Sequence, residues 1–148
     1  MLRLASERNG VDHGQLQQFD AARLPFVDKS VDVVFGHAVY HHMDSPAKAF
    51  RDARRVLKPG EIFYVFVRQG DFRGRQPVGA GAIYYRYYEA AELVLLLQDA
   101  GFQMIRLETV KDPYPERAIG FLAAFCSKTR QDAPRYPGLA AASSREHT

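Results

Sequence analysis

Tryptophan is absent from the 148 residues, and cysteine occurs only once, as Cys126. A single cysteine excludes a disulfide within the chain, and its apolar sequence neighbours predict a small buried side chain. The longest apolar run, around Leu93–Leu97, is far too short to span a bilayer, and residues 1–8 lack the apolar run of a secretory signal. We therefore expect a cytoplasmic protein with no membrane span.

Neither sign of charge dominates the sequence. There are 20 Lys and Arg residues against 17 Asp and Glu residues, a formal net charge of +3. So small an excess favours an ordinary solvated surface over a nucleic-acid partner. The length fits one domain, and we expect it to span residues 1–128. Residues 129–148, rich in Ala, Ser, Pro and charge, are predicted to form a disordered tail.

Two runs of β-branched and aromatic residues predict buried strands, at Val31–Phe35 and Ile62–Val67. Between them, apolar residues at helical spacing over Ala49–Leu57 predict an amphipathic helix. A weaker strand candidate is Gln15–Phe19. We interpret Arg68–Arg86, which is glycine-rich, basic and rich in tyrosine, as a long loop.

The rest of the chain predicts a helix at Glu89–Ala100 and two strands, at Gln103–Val110 and Ile119–Cys126. Alternating strands and helices indicate an α/β fold with a mostly parallel sheet and helices on its faces. The short turn before the last strand predicts an antiparallel hairpin at the edge of that sheet. Leu2–Glu7 is predicted to be the end of a further helix.

Four short blocks follow one another between residues 20 and 60: Asp20–Phe26, Ser30–Val34, His41–Met43 and Arg55–Gly60. In this order and spacing they resemble the class I (Rossmann-like) S-adenosylmethionine-dependent methyltransferases of type 11. The likeness extends over about residues 1–128. It implies S-adenosyl-L-methionine as the cofactor and methyl transfer to a small-molecule or lipid-like acceptor.

The glycine-rich turn of that family has no counterpart here, since no Gly-x-Gly-x-Gly follows a predicted strand. Gly79-Ala80-Gly81 comes nearest, but it falls in the predicted loop. The resemblance therefore covers the carboxyl-terminal part of the domain and implies an incomplete sheet. We expect impaired activity from this chain alone, and a bare edge at Val31–Phe35 that promotes aggregation or a homo- or hetero-oligomer.

The resemblance also implies cofactor contacts at the carboxyl ends of strands, where open α/β sheets bind ligands. Asp20 and the backbone of Ala21 would face the adenine, whereas Gly36 and His37 would approach the methionine part. Plainer interpretations stay open, because Asp20 could simply cap a loop. Gly36 could likewise simply end the strand.

The remaining candidates concern the methyl acceptor. His37 and His41 are the candidate catalytic bases, and Tyr40, Arg68 and Tyr85 are the candidate acceptor-binding residues. The tyrosines could instead pack on the sheet. The adjacent histidines predict no metal site, because no cysteine or carboxylate cluster accompanies them.

Two other functions stay open. The chain could be a non-catalytic remnant or partner subunit of a methyltransferase, since the glycine-rich motif is missing. It could also be an RNA methyltransferase, because the basic and aromatic residues of Arg68–Arg86 together can stack bases and hold phosphate.

Overall fold

The computed structural model describes residues 16–113 and 119–129. In these residues strands and helices alternate as the sequence predicts, which confirms the α/β class. The elements in chain order are β1 (Val31–His37), α1 (Ala47–Val56), β2 (Leu57–Gln69), β3 (Arg73–Val78), β4 (Gly81–Arg86), α2 (Ala90–Asp99), β5 (Phe102–Lys111) and β6 (Gly120–Lys128). A single 3₁₀ turn, Tyr40–His42, joins β1 to α1.

The main sheet of the described residues has the strand order β1-β2-β6-β5. Strand β1 pairs with β2 in parallel, whereas β6 pairs antiparallel with both β2 and β5. Strands β1, β2 and β5 thus run the same way, and β6 runs against them. The predicted hairpin of the last two strands is present, but only β5 lies at the edge, because β6 enters between β2 and β5.

Both described helices cover the same face of this sheet. Alternate residues of β2, namely Phe63, Val65 and Val67, are fully buried in one core with Phe50 of α1 and Leu93 of α2. Strand side chains alternate between faces, so the residues between these three point to the opposite side. The core therefore lies between the helices and one surface of the sheet.

The opposite surface of the sheet is aromatic and partly exposed. Phe35 stacks on Tyr64 with ring centroids 4.6 Å apart, and His37 stacks on Phe66 at 4.4 Å. Phe35 is 65% exposed. We call this surface the open face, and its side chains are Val33, Phe35, His37, Tyr64, Phe66, Phe121 and Phe125.

Two predictions of secondary structure are wrong. Residues 16–19 of the weak strand candidate Gln15–Phe19 form no strand, because they have no neighbouring strand to pair with in the described residues. The predicted loop Arg68–Arg86 is mostly the antiparallel hairpin of β3 and β4. Gly79, with a φ of +58°, supplies the positive φ that a two-residue hairpin turn needs.

Other predictions fall on residues outside the described ranges. They are the helix end at Leu2–Glu7, Gln15 of the weak strand, and the tail beyond Thr129. None of the helices in residues 16–113 and 119–129 is long and apolar enough to cross a bilayer.

Candidate active site

The carboxyl end of β1 carries an unusual backbone. Ala38, the first residue after the strand, has a φ of +58°, a backbone conformation that residues other than glycine rarely adopt. Its N–H donates to the carbonyl of Phe66, 3.0 Å away, which fixes the turn against β2. Strained residues of this kind concentrate at functional sites, so this turn is a candidate functional site.

Gly36 lies inside β1, where it pairs with Val65, and so it does not end the strand. A Cβ at this position would lie only 2.1 Å from Cε2 of the Tyr40 ring. Glycine is therefore required by the protein's own packing, because the ring of Tyr40 lies against the backbone of β1. Any close approach of a cofactor to Gly36 stays a prediction.

Tyr40 belongs to the core. Its ring meets Phe50 and Phe63 edge to face, at centroid distances of 4.9 Å and 5.7 Å. Its carbonyl accepts a 2.9 Å hydrogen bond from the hydroxyl of Tyr88, and burial raises the pKa of the Tyr40 phenol. The role in acceptor binding that we predict for Tyr40 is untested, whereas its packing role is plain.

Beside Tyr40, two histidines meet side chains from the hairpin and from β2. His42 lies 4.4 Å from His41 and 4.8 Å from Tyr85, measured between ring centroids. The guanidinium carbon of Arg68 lies 4.2 Å from the centre of the Tyr85 ring. We call this group the His41 cluster, and its members are His41, His42, Arg68, Tyr85 and Tyr87.

Three residues predicted from the sequence, His41, Arg68 and Tyr85, are thus brought together. Arg68 lies near the carboxyl end of β2, next to the end of β1, and its Nη1 donates to the Tyr87 hydroxyl at 2.9 Å. The backbone holds these groups in place, because the Tyr88 N–H donates to the Arg68 carbonyl at 2.9 Å. The cluster therefore lies at the sheet edge where α/β proteins bind ligands.

The imidazole of His41 is kept neutral. The residue is 4% exposed, and burial is the main cause that lowers its pKa to about 4. The neighbouring His42, Arg68 and His37 lower it further, because positive charge nearby opposes protonation. Its Nδ1 is buried without a hydrogen-bond partner among the described residues. A neutral imidazole can accept a proton, which suits a general base.

The hairpin is held over the 3₁₀ turn by polar contacts. The Tyr84 hydroxyl donates to a carboxylate oxygen of Asp44 at 2.7 Å, and Arg86 donates to the Asp44 carbonyl at 2.6 Å. Arg86 also pairs with Glu92 of α2 at 2.7 Å, and Arg73 pairs with the same carboxylate. These contacts place Tyr85 and Tyr87 beside Arg68.

Asp20 and Ala21 lie on the loop before β1. Oδ1 of Asp20 accepts the Ala22 N–H at 2.8 Å, so the side chain does shape its own loop, as the plainer interpretation expected. The carboxylate nevertheless stays exposed, and Ala21 packs partly against the core. An exposed carboxylate beside an apolar surface fits the adenine contact predicted here, which stays a prediction.

Two residues of α1 that the sequence does not single out anchor this loop. Asp52 and Arg55 lie three residues apart on α1, where the helical pattern places them only on a solvated face. Asp52 instead accepts the Leu24 N–H at 2.6 Å, and Arg55 donates to the carbonyls of Leu24 and Phe26. Arg55 lies within one of the four sequence blocks, and that was the available signal.

Comparison with known proteins shows which proteins the chain resembles. Residues 1–65 match the sequence family described as a methyltransferase domain, type 11. Over 98 residues the chain is 35% identical to a probable S-adenosylmethionine-dependent methyltransferase of Mycolicibacterium smegmatis, covering 66% of this chain and 36% of that protein. Over these residues the chain is similar to S-adenosylmethionine-dependent methyltransferases. It spans about a third of the length of that curated relative.

Solved structures of methyltransferases confirm the Rossmann-like fold of this chain. A methyltransferase from Methanosarcina mazei superposes with a TM-score of 0.68 at 20% identity, covering 87% of this chain and 78% of that one. The 1,6-didemethyltoxoflavin-N1-methyltransferase of Burkholderia thailandensis, solved with 1,6-didemethyltoxoflavin and S-adenosylhomocysteine, gives 0.61 at 23% identity, with coverages of 74% and 48%. At these identities the likeness establishes the fold.

Within this Rossmann-like fold, the predicted site residues form two groups. His37, at the end of β1, and the His41 cluster form one group, since His37 lies close enough to lower the pKa of His41. Asp20 and Ala21, on the preceding loop, form the other. The described residues hold no group of three or more His, Cys, Asp or Glu side chains that could bind a metal ion.

Proposed function

We propose that the protein to which this chain belongs transfers a methyl group from S-adenosylmethionine to a small-molecule or lipid-like acceptor. The observation that carries this proposal is the His41 cluster. It gathers a neutral imidazole, a cation and two tyrosines at the carboxyl ends of β1 and β2. That is where an acceptor has to lie if the cofactor occupies the adjacent end of the sheet.

The proposed roles follow from chemistry and position. S-adenosylmethionine, when bound, supplies a methyl group on a positively charged sulfur. Asp20 and Ala21 hold the adenine end, and Gly36 and His37 line the approach to the methionine end. Tyr40, Arg68 and Tyr85 position the acceptor, so that the chain contributes mainly proximity and orientation.

A catalytic base is needed only if the acceptor atom carries a proton that must be removed. His41 is the better candidate by protonation state, because burial lowers its pKa to about 4 and leaves it neutral near pH 7. Its Nδ1 is buried, so the hairpin has to shift before an acceptor reaches that atom. His37 is exposed at the end of β1 and needs no such movement.

Titration calorimetry with S-adenosylmethionine tests the proposal. Asp20→Ala removes the predicted acceptor for the adenine amino group, and we expect affinity to fall about tenfold, the effect of one lost hydrogen bond to a charged group. Asp71→Ala is the matched control, because Asp71 is an exposed aspartate in the turn after β2. Equal affinities for the wild-type chain and Asp20→Ala would refute the role of Asp20.

The open face favours a second function, that of a partner subunit. Phe35 is 65% and Val33 56% exposed, and the outer side of β1 has no pairing strand in the described residues. An apolar surface next to an unpaired edge invites strand addition. The partner we propose is a glycine-rich half of a methyltransferase domain, whose strands would extend the sheet beyond β1.

Size-exclusion chromatography with light scattering, combined with the same calorimetry, separates the two functions. A partner subunit predicts an oligomer or aggregate, and no binding of S-adenosylmethionine by the isolated chain. A soluble monomer that melts cooperatively and binds the cofactor would reject the partner function and support the enzyme.

A further inference from the structure

Arg68 differs from other arginines of the described residues in what it contacts. Arg55 pairs with Asp28 and Asp52, and Arg86 pairs with Glu92. Arg68 instead contacts two tyrosine rings, and no carboxylate among the described residues neutralises it. Its charge is therefore not compensated within the part of the chain that the structure describes.

The hydrogen-bonding capacity of Arg68 is also largely unused. A guanidinium carries five N–H donors, and in the described residues Arg68 uses one of them, toward the Tyr87 hydroxyl at 2.9 Å. The buried polar atoms that lack a partner are Nδ1 of His41 and Nε of Arg86 in the described residues. The remaining donors of Arg68 are therefore not buried in the core, and they are accessible to a ligand.

The neighbours of Arg68 favour a particular kind of ligand. His41 and His42 bring no negative charge, while Tyr85 and Tyr87 present aromatic rings at 4.2 Å and 5.6 Å from the guanidinium carbon. A planar guanidinium fork recognises carboxylate and phosphate oxygens through paired hydrogen bonds. Tyr85 is buried, but the partly exposed ring of Tyr87 at the same place suits a flat, unsaturated body.

We propose that the methyl acceptor is a planar molecule bearing an anionic group, a carboxylate or a phosphate, which Arg68 binds at the carboxyl end of β2. This inference deepens the proposed function and rests on it in calling the ligand a methyl acceptor. The anion site itself is a property of the His41 cluster. It needs no cofactor in order to bind a probe.

The test compares matched probes by ligand-observed NMR titration of the chain. Benzoate and phenyl phosphate carry the anion, and benzamide has the shape of benzoate without its charge. We expect benzoate, phenyl phosphate or both to bind about tenfold more tightly than benzamide, and the tighter of the two identifies the anion. Equal binding of benzamide and both anions would overturn the proposal without any substitution being made.

Substitutions then locate the site. Arg68→Gln should abolish the preference for the anion, whereas Arg68→Lys should keep part of it, because lysine keeps the charge but not the fork. Arg51→Gln, on the exposed side of α1, removes the same charge elsewhere and should leave the preference unchanged. An anion preference that survives Arg68→Gln in a chain with unaltered circular dichroism would overturn the assignment.

The outcomes also separate this inference from the proposed function. Anion preference without binding of S-adenosylmethionine would support the site while removing methyl transfer by this chain. Binding of the cofactor without anion preference would leave the proposed function standing and reject the inference.

Discussion

His41 should make the stability of this chain fall steeply in mild acid. In the unfolded chain its pKa returns to the ordinary value of 6.5, whereas burial in the folded state lowers it to about 4. Between these values the unfolded state binds more protons, so acid favours unfolding. The stabilising effect is complete above about pH 6.5 and is lost as the pH falls toward 4.

The size of the effect follows from the same two values. One unit of pKa difference corresponds to about 1.4 kcal/mol, and the window between 6.5 and about 4 thus sets a ceiling of about 3 kcal/mol. Domains of this kind are stable by about 5–15 kcal/mol, so such a loss is easily measured. Its unpartnered Nδ1 adds no hydrogen bond that would offset the cost.

Urea unfolding between about pH 7.5 and pH 4.5 measures this slope. The chain has 8 tyrosines and no tryptophan, so tyrosine fluorescence is the signal. His41→Gln keeps a polar side chain but cannot titrate, and we expect it to flatten the dependence. His37→Gln, at an exposed position, should retain it. An unchanged slope in His41→Gln would show that the burial of this imidazole does not control acid stability.

Two further predictions concern packing. Gly36→Ala should cost more than about 2 kcal/mol, because the new Cβ would lie 2.1 Å from the buried Tyr40 ring. Combining it with Tyr40→Leu should cost less than the sum of the two single changes, and additive urea midpoints would contradict the clash. Cys126 is fully buried and its burial raises the thiol pKa to about 12, so alkylation should occur only when urea unfolds the chain. Equal labelling rates with and without urea would count against that burial.

Local pattern was enough to predict the strands that carry the site. Val31–Phe35 and Ile62–Val67 are apolar almost throughout, and both lie within the observed strands β1 and β2. Because Arg68 follows one of these runs directly, its place at the carboxyl end of β2 was also predictable. The expected burial of both faces holds less well, because Val33 and Phe35 of β1 are exposed on the open face.

The hairpin β3–β4 could not be predicted in the same way. Its strands are mostly exposed, and Arg73 and Arg75 of β3 give no apolar alternation. What holds it is tertiary, namely the bonds of Tyr84 and Arg86 to Asp44 and of Arg86 to Glu92. The two bonds to Asp44 join residues 40 and 42 positions apart, and such contacts leave no periodic signal in the sequence.

Long-range contacts also explain why the site could be predicted only in part from the sequence. His41, Arg68 and Tyr85 were each proposed as site residues, yet their convergence depends on that docked hairpin. Helical periodicity places Asp52 and Arg55 on the polar side of α1, because it indicates which face is apolar and not which polar residues bind a distant loop. Their hydrogen bonds to Leu24 and Phe26 exist only once that loop folds back on α1.

The central position of β6 makes the chain sensitive to where translation stops. Strand β5 has β6 as its only ladder partner in the described residues, and β6 is the last of the described strands to be synthesised. A premature stop codon before Gly120 would therefore remove an internal strand and divide the sheet, instead of removing an edge strand. It would leave β5 with no backbone partner and the inner side of β2 bare, although neither strand had lost a residue.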